Sequence, residues 1–194
     1  MIRKLNPEKR EGFLNAALKL FVANGVQNTS TAAIAKEAGT AAGTLFLYFP
    51  TKQELVDELV LQIGQTLSEA IEAVLEPSLS AQETILAIWN GTIHWFQPRL
   101  EAYQYIQQVR DNSNLISEHA AQESGQFAGY YILALQKGLA EGVIKSYPMA
   151  LVGEMLYHAI VAVMNLIKME PDPAKQDEYI QAGFEIFWNG IKAV

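Results

Sequence analysis

Apolar residues recur along this chain at three- and four-residue spacing, and the polar and turn-forming residues between them read as helix ends. Asn6-Pro7-Glu8 offers an N-cap, a proline at the first helical position and an acid facing the helix dipole. Phe13, Leu14, Ala17, Leu20 and Phe21 follow on one face before Asn24-Gly25 ends the helix. Ser30 is placed to cap a short helix from Thr31 to Ala38, with Ile34, Ala35 and Ala38 inward and Gly39 supplying the left-handed stop. Thr40 is placed to cap the next short helix, Ala41 to Tyr48, with Leu45 and Phe49 inward and Pro50 blocking continuation. Thr51-Lys52-Gln53-Glu54 then reads as a capping box, and Leu55, Leu59, Ile63, Leu67 and Ile71 keep a four-residue beat behind it. The helix from 51 to about 75 spans roughly 37 Å at 1.5 Å per residue.

The same punctuation continues. A second capping box, Ser80 to Glu83, opens a helix ending near Gln97-Pro98, and a shorter helix runs from about Arg99 to Asp111. Asp111-Asn112-Ser113-Asn114 reads as a loop. A long helix is expected from about Ser117 to Glu141, with Gly142 at its stop. Ser146-Tyr147-Pro148 starts the most apolar helix, which ends near Met169, and Asp172-Pro173 starts the last, which ends at Ile191. No segment sustains period-two alternation, so the pattern predicts an all-α fold of about nine helices without strands, repeats or low-complexity linkers.

Composition narrows this picture. With 194 residues, 50% hydrophobic and 18% charged, the chain reads as globular, and folding should bury roughly 70% of its unfolded surface. The absence of cysteine removes disulfides, thiolate nucleophiles and cysteine-based metal sites, and fits a reducing compartment. The first residues pass from a basic cluster into a helix start with no apolar stretch between, so no secretory leader and a cytoplasmic location are expected. The longest unbroken apolar runs, Ala159 to Met164 among them, fall far short of the roughly 20 residues that cross a bilayer, so no membrane span is expected.

Charge changes the picture more. The net charge of −7 is unevenly placed: residues 1–52 hold seven Lys/Arg against three acids, a surplus of +4, and the remaining 142 hold seven against eighteen, −11. A small basic module on a larger acidic body is implied. Within that module lie two short helices joined by a glycine turn, the pattern of a helix-turn-helix.

The wording of this stretch is more specific than its pattern. Ile34-Ala35-Lys36-Glu37-Ala38-Gly39, followed by Gly43-Thr44-Leu45-Phe46-Leu47-Tyr48-Phe49-Pro50-Thr51-Lys52-Gln53-Glu54-Leu55, closely resembles the TetR family of bacterial transcription regulators. The resemblance covers about the first 55 residues; beyond them only helix count and length agree. It implies a DNA-binding domain over residues 1–52 and a ligand-binding and dimerisation domain over 53–194. In such an arrangement the first helix supports, Thr31–Ala38 crosses the phosphate backbone and Ala41–Tyr48 enters the major groove.

DNA contact is thereby carried to Ser30, Thr31, Thr40, Ala41, Ala42, Gly43, Thr44, Leu47, Tyr48, Thr51 and Lys52. Chemistry supports several of these on its own. The Ser30 hydroxyl can cap or touch a phosphate, and the Thr44 hydroxyl lies opposite Leu45 on the outer face. Tyr48 joins an apolar ring to a phenol donor. Lys52 sets an ammonium beside a helix N-terminus. Arg3, Lys4 and Lys36 are further phosphate candidates or solvated charges. The chain departs from the family in having Ala41-Ala42 where polar residues are common, and Phe46-Leu47 where Tyr-His or Tyr-Trp is frequent; Ala32 and Ala33 also lack polar contacts. Base readout would then be apolar, as with Ala against a thymine methyl, or shape-based.

The apolar last two helices carry more hydrophobic surface than one core stripe needs, and the resemblance implies a homodimer formed through them. Gly153, Ala159 and Ala162 are small enough for close helix approach. The middle helices are aromatic, Phe127 among them, and the family places an effector pocket there. Candidate lining residues are Trp89, His94, Tyr103, Gln107, Tyr130, Tyr131, Met155 and His158, suited to an apolar or aromatic molecule. No paired His spacing, nucleophile elbow or phosphate-binding glycine loop is present, so neither an enzyme, a metal nor a cofactor is expected. The expectation is a repressor, cytoplasmic and homodimeric, released from a double-stranded DNA operator by a small-molecule effector. The alternative is a helical binding or scaffold protein that has lost specific DNA recognition.

Overall fold

A computed structural model describes residues 5–124 and 126–193. Arg3, Lys4 and the Phe127 side chain lie outside the described residues. The elements are α1 (Pro7–Asn24), α2 (Thr31–Glu37), α3 (Ala42–Leu45), α4 (Lys52–Glu72), α5 (Ala81–Phe96), α6 (Leu100–Asp111), a 3-10 turn (Ser113–Leu115), α7 (Glu118–Ser124), α8 (Gln126–Ala140), α9 (Met149–Ile167) and α10 (Pro173–Ile191). The fold is all-α. Among the described residues the one extended pairing is an isolated antiparallel bridge, Ile144 to Lys192.

The predicted caps form by the expected chemistry. Asn6 Oδ1 accepts from the backbone of Glu8 at 2.7 Å, with Pro7 at the first helical position. Ser30 Oγ accepts from Ala33 N at 3.1 Å, and Gly25, Gly39 and Gly142 hold the positive φ angles that end α1, α2 and α8. The Ser80–Glu83 box is complete: Glu83 N donates to Ser80 Oγ at 3.3 Å and Ser80 N to the Glu83 carboxylate at 2.8 Å. These bonds hold the Glu83 carboxyl below its ordinary pKa, the side-chain bond from Ser80 contributing most.

Two expectations change. The helix placed at Ala41–Tyr48 is only Ala42–Leu45, and Ala41, which has no side-chain acceptor, stands at its N-cap. Thr40 instead closes α2, donating both its N–H, at 2.8 Å, and its hydroxyl, at 3.2 Å, to Ala35 O. After Leu45 the chain tightens into i to i−3 bonds, Leu47 N to Thr44 O at 3.2 Å and Tyr48 N to Leu45 O at 2.9 Å. Within the segment expected as one helix from Ser117 to Glu141, residues 118–124 (α7) and 126–140 (α8) are helical, and residue 125 lies outside the described residues.

Counting unbroken apolar runs excluded a membrane span, yet α9, at 19 residues, is long and apolar enough by length and composition to cross a bilayer. Gly153, Glu154, His158 and Asn165 interrupt the run without lowering the average below that threshold. Val152, Leu156, Ile160, Val163 and Ile167 are buried, and α9 packs along α10.

Packing divides the chain into two compact units, residues 1–64 with 101–124 and residues 65–100 with 125–194. In the first, Phe13, Leu14, Phe21, Ile34 and Leu45 are fully buried. Helix α6 joins this unit because Tyr105 stacks on Phe21, ring centroids 6.0 Å apart, and its phenol donates to Val56 O at 2.8 Å. Burial raises the Tyr105 phenol well above its ordinary pKa, so it stays protonated.

In the second unit the core is built on Trp89, which is fully buried. Its Nε1 donates to Ile180 O at 3.1 Å, and its ring meets Phe184 and Phe187 at 5.9 and 6.5 Å. Close packing of α9, α10 and α5 here depends on Gly183: a Cβ there would overlap Val163 Cγ2 and lie 3.1 Å from Trp89 Cζ2. Gly153, in contrast, has no neighbour within 4 Å of where its Cβ would sit.

Candidate nucleic-acid interface and effector region

Side chains expected at the DNA surface gather on α2, α3 and the start of α4. Tyr48 is half-buried. Its ring packs against Phe13, centroids 5.4 Å apart, and its phenol oxygen accepts the backbone N–H of Asn6 at 3.1 Å. The O–H proton is left to donate to an acceptor. Ser30 is used in the same way: its oxygen caps α2 and its proton stays available to an acceptor.

Lys52, half-buried at the first turn of α4, donates to Gln27 O at 3.4 Å. Burial lowers its pKa from the ordinary lysine value. Thr51 Oγ1 accepts from Glu54 N at 3.1 Å and donates to the Glu54 carboxylate at 3.4 Å, so the carboxylate bonds the hydroxyl where a full box would bond the backbone. Thr31 and Thr44 are half-buried, and Ala41, Ala42, Gly43 and Lys36 are exposed. Leu47 is 65% exposed.

Residues outside the sequence-derived set hold this surface together. Thr29 is buried between α1 and α2, and its hydroxyl lies 2.9 Å from Gly25 O and 3.2 Å from Leu20 O, closing the turn beneath Ser30. Arg10 pairs with Glu58 at 2.5 Å and lies 5.3 Å over the Phe49 ring, tying α1 to α4. Lys19 pairs with Glu37 at 2.5 Å and ties α1 to α2; that hydrogen bond and charge raise the Lys19 pKa. A polar residue followed by a capping serine, Thr29-Ser30, was the visible signal for the first of these. The two ion pairs join positions far apart in sequence and left none.

The effector candidates are divided between the two compact units. Tyr103 is buried in the first compact unit, where Gln107 also lies. Trp89 and Tyr131 are core residues of the second; Tyr131 shares a 3.1 Å hydrogen bond with Thr92, and burial raises its phenol pKa. Met155, 55% exposed, and His158, 3.8 Å from the Glu154 carboxylate, lie on an open part of α9. His94 borders an open groove of about 470 Å³ with Ala70, Val74, Asn90, Gly91 and Trp95. Tyr130 borders another of about 330 Å³ with Leu75, Thr84, Leu133 and Lys137, and its phenol donates to the Glu72 carboxylate. Among the described residues no group of three or more His, Asp or Glu is placed to hold a metal ion.

Comparison with known proteins points the same way as the geometry. Residues 13–59 match the family model of bacterial regulatory proteins, tetR family. The chain is 30% identical over 102 residues to the HTH-type transcriptional regulator LuxR of Vibrio harveyi, covering 48% of this chain and 50% of that protein. It is 27% identical over 157 residues to the HTH-type transcriptional regulator BetI of Escherichia coli strain K12, covering 68% and 80%. The match to LuxR thus spans about half that relative's length. A solved TetR-family transcription regulator from Shewanella sp. PV-4 superposes with a TM-score of 0.84 at 27% identity, covering 96% of this chain and 99% of that one.

Proposed function

From the chain's membership of the TetR family of bacterial regulatory proteins, we propose that it is a homodimeric, cytoplasmic transcriptional regulator that binds a double-stranded DNA operator and is released by a small apolar or aromatic effector. The observation that carries this reading is the wiring of Tyr48. Its ring is fixed on Phe13 and its oxygen on Asn6 N–H, which leaves its hydroxyl proton to donate, in the same basic module as the Ser30 hydroxyl and the Lys52 ammonium. Hydroxyl and ammonium donors near helix N-termini suit a phosphate backbone.

Dimer formation through α9 and α10 is supported by the apolar side chains these helices leave open, Leu151, Met155, Leu166 and Ile186. A second copy sets two recognition segments about 34 Å apart, one helical turn of DNA. The groove of His94, Asn90 and Trp95, mostly apolar with two polar groups, suits the effector. Helix α4, with residues in both compact units, is the link: an effector that shifts it changes the spacing of the two reading segments and ends their simultaneous engagement. Coupling of this kind is reciprocal, so operator must weaken effector binding as effector weakens operator binding.

The test is a mobility shift on the DNA upstream of the protein's own gene, comparing wild type with a Tyr48→Ala, Lys52→Ala double variant. Binding by the wild type that the double variant loses is expected. Equal binding by the two proteins, or none by either, overturns the reading.

A further inference from the structure

Between Gly39 and Pro50 the chain has no Arg, Lys, Asn, Gln, Asp or Glu. Those are the side chains that read guanine, adenine and cytosine by hydrogen bonds in the major groove. Thr40 has its hydroxyl proton committed to Ala35 O, and Thr44 is half-buried. What the segment offers instead is apolar. Leu45 is fully buried on the inner side, whereas Phe46 is 45% and Leu47 65% exposed. Ala42, Gly43, Phe46 and Leu47 are all exposed, and no neighbouring atom lies within 4 Å of where a Gly43 Cβ would sit.

Two large apolar side chains open to water, within a module of charge +4 and flanked by the phosphate-directed donors of Ser30, Tyr48 and Lys52, need an apolar feature on a polyanion. The major groove carries one such feature, the C5-methyl of thymine. We propose that this protein recognises its operator through thymine methyl groups, with Leu47 and Phe46 as the specificity-determining side chains and Ala41, Ala42 and Gly43 permitting close approach of the backbone. This rests on the DNA-binding reading above and states what that surface selects. Phosphate contacts fix register, and the methyl contacts supply the sequence preference.

The experiment selects bound duplexes from a random-sequence pool and remakes the selected site with uracil for thymine, which keeps base pairing and removes only the methyl. Affinity for the uracil duplex is expected to fall about tenfold, the effect of withdrawing one buried methyl contact per half-site of a dimer. Leu47→Ala, at an exposed position, is expected to bring the thymine-to-uracil ratio to about twofold or less. Equal wild-type affinity for the two duplexes, with binding still lost in the Tyr48→Ala, Lys52→Ala variant, overturns the methyl readout and leaves the DNA-binding reading standing. A ratio unchanged in both Leu47→Ala and Phe46→Ala also overturns it, because DNA shape then supplies the preference. Failure of the wild type to select or hold any duplex overturns both.

Discussion

The reading segment and the helical body put exposed apolar side chains to different uses and encode them differently. Phe46 and Leu47 stand out from a turn whose every neighbour is fixed by a cap or a short backbone bond within a few residues. In the body, Trp89, Tyr131, Met155 and His158 are all aromatic, soft or polar, yet two are core and two are open, because packing against distant elements decides their setting. A site built on a turn is specified by spacing. A site built on packing is specified by partners that lie dozens of residues away.

The largest effect should come from breaking the body's centre. Trp89→Ala removes a fully buried indole together with its bond to Ile180 O, and a loss of about 3–5 kcal/mol is expected in denaturant unfolding. Wild-type stability with only a lost effector response would instead make Trp89 a pocket residue. Next, Gly183→Ala forces a methyl against Val163 and Trp89, and about 1–3 kcal/mol of destabilisation is expected by the same measurement. In the reading segment, Ser30→Ala removes the α2 cap for about 1 kcal/mol, and it should also weaken DNA binding; an unchanged affinity would confine Ser30 to capping.

The smallest effect separates the two regions by pH. Lys19, raised by its hydrogen bond to Glu37, contributes stability that is complete below the ordinary lysine value of 10.5 and lost as pH rises through its folded value. Glu83, lowered by Ser80, contributes stability complete above its ordinary 4.5 and lost as pH falls through its folded value. Thermal unfolding across pH should show Lys19→Met flattening the alkaline limb alone and Glu83→Gln the acid limb alone.

Much of the fold was legible because its ends are local chemistry: Asn6, Ser30, Ser80 and Asp172 all cap where their side chains predict. Thr40 misled because a threonine before a short helix has two nearby choices, and Ala35 O outcompeted the next helix's N–H groups. Run counting understated the apolar character of α9, because a few polar residues break a run without changing a helix's average character. At the candidate DNA surface the residue identities were readable, but not that Tyr48 would accept from Asn6, 42 positions earlier. In the effector region neither the burial of Trp89 nor the exposure of Met155 could be read, since Gly183 and the α10 aromatics set the first and open surface the second.

The most direct test of the central claim is the salt dependence of DNA binding by the wild-type protein and Lys52→Ala. If the basic module grips phosphates, the logarithm of the binding constant falls steeply and linearly with the logarithm of salt concentration, and Lys52→Ala lowers the slope by about two for a dimer. A slope near zero, or one that Lys52→Ala leaves unchanged, would contradict it.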